Sequence, residues 1–462
     1  MRHGSLGDTI AAISTPLGTG GIGIVRCSGP QAQAIAVQIF RRKEGRGPLL
    51  SHRFYLGEII RPRDHEVLDE VLLVFMRQPK TYTREDVVEI QCHSGVLVLQ
   101  QILQTVLESG ARLAEPGEFT QRAFLNGRID LTQAEAVIDL INSQTQRSLE
   151  LANRQRSGRL AAEVRRMKES LLDLLVSLEA TIDFPEEEVD GPDPQEVARR
   201  LLGARNDLEG LLRTYDEGRV YREGIAAVIV GRPNVGKSSL LNVLLKEERA
   251  IVTAIPGTTR DVIEEVVNIE GIPLRIMDTA GLRPAKDAIE EEGVRRTRER
   301  LAQADLTIWV VDGSEPLSSE DRDILPQVRN KKTVIAINKN DLPQLFPPED
   351  LRVQIPEASL ISISALRGSG IEGLKKAIRT VVLNGRIESS SETILTNLRH
   401  KRAIEVAREA LSEALQSLQI NLSWEFITLD LQGALEALGE IVGETTSEEV
   451  LDRIFNQFCI GK

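Results

Sequence analysis

The sequence predicts a multi-domain protein of the α/β plus α class. It has an α+β N-terminal domain, a discontinuous helical domain, and a doubly wound α/β domain inserted between the two helical parts. Three observations carry this prediction. The chain has 462 residues, enough for about three domains at roughly 150 residues each. Strand-length apolar runs alternate with helical patterns between about residues 224 and 383. Long helical patterns flank that segment on both sides.

The N-terminal part alternates short strand-like runs with turn residues from Asp8 to about Gln121. The runs are GIGIVR (21–26), EVLLVFMR (70–77) and DVVEIQCH (86–93), and a helical stretch follows from Val96 to Leu107. This mixture predicts an α+β domain over residues 1–122.

The next part is helical. From Leu131 to Phe184, apolar residues recur at spacings of three and four, which is typical of long amphipathic helices packed as a bundle. The acidic stretch PEEEVDGPDP (185–194) predicts an exposed connection between helices. Helical patterns return over 394–418 and 446–458, and Thr446 with Glu449 predicts a capping box for the last helix. We therefore predict helical parts at 123–218 and 385–462.

The inserted domain is predicted over residues 219–384. Its strand runs are AAVIVG, PLRIMDTAG, LTIWVVDG, TVIAINKND and LISISAL, which alternate with helical patterns as in a doubly wound parallel sheet.

Composition limits the functional classes. The 57 Lys and Arg against 69 Asp and Glu give a net charge of −12, which argues against a free-standing nucleic-acid binder with a basic surface. The three cysteines, Cys27, Cys92 and Cys459, have no CxxC spacing, so neither a disulfide framework nor a structural zinc site is predicted. No apolar run reaches the length of a membrane helix, and we expect a cytoplasmic protein without a membrane partner.

The strongest motif is GRPNVGKS at Gly231–Ser238, which follows the strand run AAVIV and opens a helical pattern. It matches GxxxxGK[ST], in which backbone N–H groups and the helix N-terminus hold phosphates. Lys237 would reach the β and γ phosphates, and the Ser238 hydroxyl would bind Mg²⁺.

A second motif selects the base. Asn338-Lys339-Asn340-Asp341 ends the strand run TVIAI, and Ser364-Ala365 ends the next one. The Asp341 carboxylate can accept hydrogen bonds from N1–H and the 2-amino group of guanine, whereas adenine offers no such pair of donors. The sequence therefore predicts a guanine nucleotide.

Two further segments complete the nucleotide motifs. Asp278-Thr279-Ala280-Gly281 can hold Mg²⁺ through water and meet the γ phosphate, and TTRD (258–261) offers Thr259 as a second Mg²⁺ ligand. These motifs resemble those of the Ras-like GTPase superfamily over residues 224–383. Leu282 follows the glycine where Ras-like proteins have the glutamine that positions water, so catalysis must be obtained in another way.

The combination of Leu282, Asn234 and IVTAIPGTTRD resembles the GTPases activated by potassium. In that group K⁺ occupies the place of an arginine finger. The resemblance implies K⁺ ligands from the Asn234 side chain and from backbone carbonyls near Thr253, Ile255 and Thr258.

Motifs outside the nucleotide domain narrow the family. DTIAAISTPLGTGGIGIVR, TYTREDVVEIQCHSG, PGEFTQRAFLNGRIDLTQAEAVIDLI and the final FCIGK are similar to the MnmE (TrmE) tRNA-modification GTPase family over essentially the full chain. The resemblance implies Glu290 and Lys237 as catalytic residues, with Glu290 orienting water. Glu291 and Glu292 adjoin it, so a shift of one residue stays open, as does a simple exposed helix start.

The resemblance also implies a GTP site. Its residues would be Asn234, Val235, Gly236, Lys237, Ser238, Ser239, Thr253, Ala254, Ile255, Pro256, Gly257, Thr258, Thr259, Asp278, Thr279, Ala280, Gly281, Asn338, Lys339, Asp341, Ser364 and Ala365, with Ser238 and Thr259 on magnesium.

The family's N-terminal domain resembles folate-dependent one-carbon enzymes. The resemblance implies a tetrahydrofolate derivative, 5,10-methylene- or 5-formyl-tetrahydrofolate, held at a homodimer interface by Arg26, Glu89, Arg128 and Lys462. A carboxylate suits the donor-rich pterin edge and cations suit the glutamate tail. Taken alone, each of these residues is more often an ordinary charged residue at a surface or an interface. Cys459 is either a thiol near this site or a small residue packed under the last helix.

Taken together, the resemblance implies a potassium-dependent, Mg²⁺-requiring GTPase. With an FAD-containing MnmG (GidA) partner, in a heterotetramer or larger assembly, it would add an aminomethyl or carboxymethylaminomethyl group at C5 of the wobble uridine of certain tRNAs. Two alternatives stay open: an RNA-binding or ribosome-assembly GTPase switch without base chemistry, which predicts a basic module such as a KH domain, and an independent folate enzyme with a regulatory GTPase.

Overall fold

The computed structural model describes residues 7–44, 47–183, 192–248, 265–277, 301–385 and 393–462. These residues form two compact units. The first contains the residues up to Ile138 together with those from Gly439 onward, and the second contains the described residues from Asp139 to Leu438. Among the described residues, no helix is both long and apolar enough to cross a bilayer.

The first unit is built on a seven-stranded sheet with the order β3-β4-β5-β6-β2-β1-β7. All neighbours are antiparallel except β1 and β7, which are parallel. The strands are β1 (Ile10–Ile13), β2 (Ile22–Ser28), β3 (Phe40–Arg42), β4 (Arg53–Ile60), β5 (Val67–Met76), β6 (Val87–His93) and β7 (Arg112–Leu113).

One face of this sheet is covered by α1 (Ala32–Ile39) and α2 (Val96–Glu108). Apolar residues on one side of each helix, such as Ile35 and Ile102, pack with alternate strand residues, such as Val25, Leu73 and Ile90, in one continuous core. The alternation along each strand therefore sends one set of side chains into the core and the other set to the opposite face.

The opposite face of the sheet has large apolar side chains that are exposed to solvent. Leu56 and Leu72 form an exposed cross-strand pair, and Ile22 is exposed on β2. Arg26 and Glu89 lie on the same face, because Gln91, two residues from Glu89, is paired with both Leu72 and Ile24. This face combines exposed apolar residues with an ion pair.

The chain terminus returns to this unit. Helix α14 (Glu448–Phe455) packs through Phe455 and Phe458 against Leu131 of α4 (Leu131–Asn142), and α3 (Glu118–Leu125) adds Phe124 to the same apolar cluster. Ile460 then forms an antiparallel bridge with Pro116, and the Lys462 carbonyl accepts a hydrogen bond from the N–H of Phe119. The last residues thus become part of the N-terminal structure.

The second unit contains the long helices and the inserted sheet. The helices outside the sheet are α5 (Gln146–Arg156), α6 (Arg159–Asp183), α7 (Pro194–Glu223), α12 (Leu398–Gln419) and α13 (Trp424–Val442). Apolar residues line the inner faces of these helices, for example Leu171, Leu174 and Leu178 of α6 and Ile404 and Leu411 of α12. Helix α7 begins with Asp193 as its N-cap, whose carboxylate accepts from the N–H of Gln195, and with Pro194 at its first position.

The inserted sheet has six strands in the order β13-β12-β11-β8-β10-β9. They are β8 (Ile225–Val230), β9 (Glu265–Ile269), β10 (Ile272–Ile276), β11 (Leu306–Asp312), β12 (Thr333–Asn338) and β13 (Ser359–Ser362), all parallel except the β9–β10 hairpin. Helices α8 (Lys237–Glu248) and α11 (Ile371–Val382) cover one face, and α9 (Ser319–Val328) and α10 (Glu349–Gln354) cover the other. The predicted doubly wound sheet is confirmed.

The structure corrects the predicted capping box. Helix α14 begins after Ser447, not Thr446, and the Thr446 hydroxyl donates instead to the Glu440 carbonyl at 3.1 Å. The pattern also missed α1, α3 and α13 and the strands β1, β3, β4, β7 and β9. Helix α7 runs past residue 218, the predicted end of the first helical part, to Glu223. It begins at Pro194, the last residue of the predicted connection 185–194. The domain limits stay predictions.

A close backbone approach in α7 leads to a first prediction. A Cβ at Gly218 would lie 2.0 Å from the Leu395 carbonyl oxygen, whereas a Cβ at Gly210, in the same helix, meets nothing within 4 Å. We expect Gly218→Ala to lower the free energy of unfolding by about 1–3 kcal/mol, because the backbone must shift. Gly210→Ala is the matched control and should raise it by up to about 1 kcal/mol through helix propensity.

Denaturant unfolding of the two variants beside the parent chain measures both effects. A Gly218→Ala protein as stable as Gly210→Ala would contradict the steric argument.

Candidate functional site

The phosphate-binding motif lies between β8 and α8, as the sequence predicts. The loop turns through two positive-φ residues, Asn234 at φ 64° and Gly236 at φ 101°, before α8 begins at Lys237. Asn234 is exposed at the loop, and Val235 is fully buried beneath it. A loop of this kind leading into a helix N-terminus directs backbone N–H groups toward an anion.

Lys237 lies back along the loop. Its ammonium donates to the carbonyls of Gly231 and Arg232, both at 2.8 Å. Burial lowers the pKa of Lys237, because the charged form loses water, and the charge of Glu320 opposes this shift. A partly desolvated cation held over a phosphate-binding loop suits the β and γ phosphates of a nucleotide. Ser238 and Ser239 follow it in the first turn of α8.

Asn338 joins the phosphate loop to the base-recognition loops. Its side-chain N–H donates to the Val235 carbonyl at 2.7 Å, and its side-chain oxygen accepts from the N–H of Ala365 at 2.9 Å. Asn338 is buried, so both hydrogen bonds replace lost contacts with water. Three sequence motifs that are far apart in the chain therefore meet at one side chain.

The base-selecting carboxylate is available at the surface of the same corner. A hydrogen bond from Ser364 holds the pKa of Asp341 below its usual range, with the charges of Arg367 and Lys339 adding to the effect. Arg367 lies 3.8 Å from the Asp341 carboxylate. Asp341 is therefore ionised at neutral pH and can accept two hydrogen bonds from guanine.

The other nucleotide candidates lie outside the described residues. These are Thr253, Ala254, Ile255, Pro256, Gly257, Thr258, Thr259, Asp278, Thr279, Ala280, Gly281 and Glu290, together with the neighbours Leu282, Glu291 and Glu292. Of the predicted magnesium and potassium ligands, only Ser238 and Asn234 are described. A hydroxyl at the start of α8 suits Mg²⁺, which takes few protein ligands and completes its shell with phosphate oxygens and water.

A second group of candidates meets in the first unit. Arg26 on β2 donates from Nε to Glu89 on β6 at 2.8 Å, and its Nη1 approaches the Gly461 carbonyl at 3.4 Å. The Arg26 guanidinium also lies over the rings of Phe119 and Tyr82, at 5.6 and 6.0 Å from their centroids.

Arg128 also lies against Tyr82. Its guanidinium lies 4.7 Å from the Tyr82 ring centroid, and its Nη1 donates to the Tyr82 carbonyl at 2.8 Å. The Tyr82 hydroxyl is within 3.0 Å of Thr120 Oγ1 on α3. We call Arg26, Tyr82, Glu89, Arg128 and Lys462 the Tyr82 cluster.

Lys462 is brought into the cluster by the returning chain end. Burial lowers its pKa, and the neighbouring Arg26 charge lowers it further, while Glu89 and Cys459 oppose the shift. The side chains of the Tyr82 cluster therefore carry three positive charges and one negative charge, that of Glu89. The cluster has an excess of positive side-chain charge although the protein as a whole is acidic. Such a site suits a ligand that is anionic at one end and presents hydrogen-bond donors at the other.

The three cysteines differ in environment. Cys27 and Cys92 are buried in the sheet core. Burial raises the pKa of Cys27 to about 12 and that of Cys92 to about 11. Cys459 is exposed, so of its two interpretations the buried packing residue is wrong.

Sequence reasoning missed three residues that the structure puts at these sites. Tyr82, whose ring lies near both Arg26 and Arg128, falls within the motif TYTREDVVEIQCHSG, but nothing in that motif predicts its contact with two arginines. Asp312 lies 2.5 Å from Lys339, and Arg232 lies 4.0 Å from Asp312. Asp312 had a readable signal, because it is an acidic residue at the carboxyl end of a buried parallel strand, where ligands bind in open α/β sheets.

Comparison with known proteins finds matches along nearly the whole chain. Residues 131–459 match the family model described as the MnmE helical domain, and residues 9–128 match the model described as the GTP-binding protein TrmE N-terminus. Proteins named tRNA modification GTPase MnmE are similar over nearly the full length. That of Natranaerobius thermophilus is 48% identical over 98% of this chain and 99% of its own. That of Syntrophus aciditrophicus is 50% identical over 99% of this chain and 100% of its own.

Solved structures match a smaller part. The G domain of the T. maritima FeoB iron transporter is 24% identical, with coverage of 34% of this chain and 98% of that one and a TM-score of 0.26. Era in complex with MgGDPNP and a segment of 16S ribosomal RNA is 29% identical, with coverage of 40% of this chain and 66% of that one and a TM-score of 0.27.

The cysteine environments lead to a second prediction. At pH 8 the native chain should react rapidly with a thiol reagent at one position, because only Cys459 is exposed. Cys27 and Cys92 have raised pKa values, so they hold almost no thiolate until the pH rises toward 11, and they are also inaccessible. Disulfide-exchange titration should count one fast thiol per native chain and three in guanidinium. Cys459→Ser should abolish the fast phase, and a fast phase that persists would contradict the assignment.

Proposed function

The chain belongs to the MnmE family of tRNA modification GTPases, and from that premise we propose that it hydrolyses GTP to drive modification of the wobble uridine of certain tRNAs. An FAD-containing protein of the MnmG (GidA) family is the proposed partner, in a heterotetramer or larger assembly. The modification adds an aminomethyl or carboxymethylaminomethyl group at C5, with the carbon supplied by 5,10-methylene- or 5-formyl-tetrahydrofolate. The cytoplasm is the proposed location.

The observation that carries the one-carbon part of the proposal is the Tyr82 cluster. Glu89 Oε1 is occupied by Arg26 Nε at 2.8 Å, which orients the carboxylate so that its second oxygen can accept from a pterin edge. Arg128 and Lys462 can pair with the carboxylates of a glutamate tail. When bound, the folate supplies the one-carbon unit, and these residues bind and orient it.

A homodimer is proposed through the sheet face that bears the cluster. Leu56, Leu72 and Ile22 are 47%, 42% and 65% exposed on this face, and burying the part of each that is still exposed is worth about 1–2 kcal/mol. Because Arg26 and Glu89 share the face, a second copy placed there would close the folate site. The proposed homodimer and the proposed folate site therefore share one sheet face.

For hydrolysis, we propose that Lys237, Mg²⁺ on Ser238 and Thr259, and K⁺ neutralise charge on the transferring phosphoryl group. Glu290 orients the attacking water, with Glu291 and Glu292 as the neighbouring alternatives. The potassium ligands proposed are Asn234 and the carbonyls near Thr253, Ile255 and Thr258. The exposed position of Asn234 on the phosphate loop supports its part.

The RNA-switch alternative finds less support. Residues 393–462, described without a gap, form α12, α13, α14 and a terminal bridge. A KH module needs a sheet as well as helices. The net charge of −12 further favours a division of labour in which the flavoprotein supplies basic surface for the tRNA.

Reconstitution tests the function. The chain, the flavoprotein, unmodified tRNA, methylene-tetrahydrofolate, GTP and a nitrogen donor, either glycine or ammonium, should together yield C5-modified wobble uridine by mass spectrometry of nucleosides. Glu89→Gln should reduce the product by about tenfold or more and leave GTP hydrolysis unchanged, because one charged partner of Arg26 is lost. The matched control is Glu58→Gln, which also breaks a cross-strand pair with an arginine, Arg41, on the same sheet.

The outcomes separate the candidates. No product with both proteins present favours the RNA switch, and product without the flavoprotein favours an independent folate enzyme. Full product from Glu89→Gln would remove Glu89 from the folate site and leave the wider function standing.

Potassium dependence gives a separate prediction. GTP turnover should be faster in KCl than in NaCl at equal ionic strength by about tenfold or more, because a monovalent cation replaces the arginine finger. Asn234→Gly should lose this difference, since glycine keeps φ 64° without strain and lacks the side-chain oxygen. Equal rates in the two salts, or a potassium effect that survives in Asn234→Gly, would be evidence against the assigned site.

A further inference from the structure

Asp312 is a buried carboxylate at the edge of the nucleotide site. It ends β11 and is 3% exposed. In the parallel pairing of β11 with β12 it lies opposite Asn338, the residue that joins the phosphate loop to Ala365. The carboxyl ends of parallel strands are where open α/β sheets bind ligands, so its position is that of a functional residue.

All of its contacts are with the surrounding loops. Oδ1 accepts from the N–H and the hydroxyl of Ser314, at 3.0 and 2.6 Å. Oδ2 lies 2.5 Å from the ammonium of Lys339. Although burial favours the protonated form, the hydrogen bonds from Lys339 and Ser314 hold the pKa of Asp312 below its usual range. The carboxylate is charged, oriented and paired.

Lys339 stands between two carboxylates. It is two residues from Asp341, and its charge already helps to lower the Asp341 pKa. Its backbone is held at φ 64°, with its carbonyl accepting from Gln344 at 3.0 Å, so the side chain leaves a fixed point. An ammonium on a four-carbon stem can pair with either carboxylate, and the structure pairs it with Asp312.

The same carboxylate also faces the phosphate loop. Arg232 Nη2 lies 4.0 Å from Asp312 Oδ2, and its guanidinium is ion-paired with Glu315 and, at 3.4 Å, with Asp321. Arg232 therefore turns away from the phosphates and into an acidic corner. Asp312 has cations on two sides, one from the phosphate loop and one from the base loop.

We propose that Asp312 is a positioning residue for guanine specificity: it holds the Lys339 ammonium away from Asp341, so that Lys339 does not compete with the base for the Asp341 carboxylate. The proposal rests on the guanine-nucleotide site. Without the Asp312 charge, Lys339 turns to Asp341 and competes with N1–H and the 2-amino group of guanine. Discrimination by Asp341 then weakens.

Nucleotide preference provides the test. The affinities of the full-length chain for GDP and for inosine diphosphate, which lacks the 2-amino group, are measured by fluorescent-nucleotide competition. The parent chain should prefer GDP by about tenfold or more, because the Asp341 acceptor is unpaired with inosine. Asp312→Asn keeps the acceptor for Ser314 and removes the charge. It should weaken GDP binding by about tenfold and bring the ratio of the two affinities toward one.

A merely structural role predicts a different result, because loosening of the loops lowers both affinities and leaves their ratio unchanged. Lys339→Met removes the ammonium and keeps an aliphatic stem. In that background Asp312→Asn should no longer alter the ratio, since the ammonium that Asp312 holds is already absent and Arg367 is the same in every variant. Asp323→Asn, the same change at an exposed position of α9, is the matched control and should leave the ratio at the parent value.

An unchanged ratio in Asp312→Asn, or an equal fall of the ratio in the presence and absence of Lys339, overturns the proposal. If Asp312→Asn does not fold by circular dichroism, Asp312→Ser is measured in its place and read in the same way. A parent chain that binds neither nucleotide refutes the guanine-nucleotide site itself, which distinguishes failure of the site from failure of the role of Asp312.

Discussion

The N-terminal unit depends on one close backbone contact, between Gly461 and Ile13. Gly461 has φ 95°, and a Cβ there would lie 2.3 Å from the Ile13 carbonyl oxygen, so only glycine lets the returning segment approach β1 this closely. From this contact follow the bridge of Ile460 to Pro116 and the arrival of Lys462 beside Arg26. The Tyr82 cluster, whose residues are up to hundreds of positions apart in the chain, therefore depends on two main-chain segments that approach closely because one of them has a glycine at this point.

The nucleotide site is organised by strand ends in a comparable way. Parallel strands bring the ends of β8, β11 and β12 to one edge of the sheet, so the phosphate loop, Asp312 and Asn338 become neighbours with no specific attraction between them. Short hydrogen bonds from Asn338 then lock the loops together. Charged and polar contacts then orient the two remaining side chains, because Asp312 pairs with Lys339 and Ser364 donates a hydrogen bond to Asp341.

The sequence predicts the elements that have a periodic apolar pattern or a motif of fixed spacing. The strands of the inserted sheet, α2 and the phosphate loop carry strong local patterns, and the structure has them where they are predicted. Edge strands such as β3 and β7 are too short for a periodic signal. Strand β9 is also an edge strand, and it pairs with β10. Helix α14 begins one residue later than the Thr446 pattern predicts, because Thr446 donates to Glu440. Tyr82 could not be predicted, because its role arises from two arginines that come from distant strands and loops.

The return of the chain end also fixes an order of events during synthesis. A ribosome makes residues 460–462 long after Pro116 and Phe119, which receive them, so these contacts must wait while the whole inserted domain is produced. A chain interrupted before this point would contain every residue of the nucleotide site and still lack Lys462. The Tyr82 cluster can therefore form only after translation has passed through residue 462. A chain that terminates earlier keeps the residues of the nucleotide site but cannot complete the Tyr82 cluster.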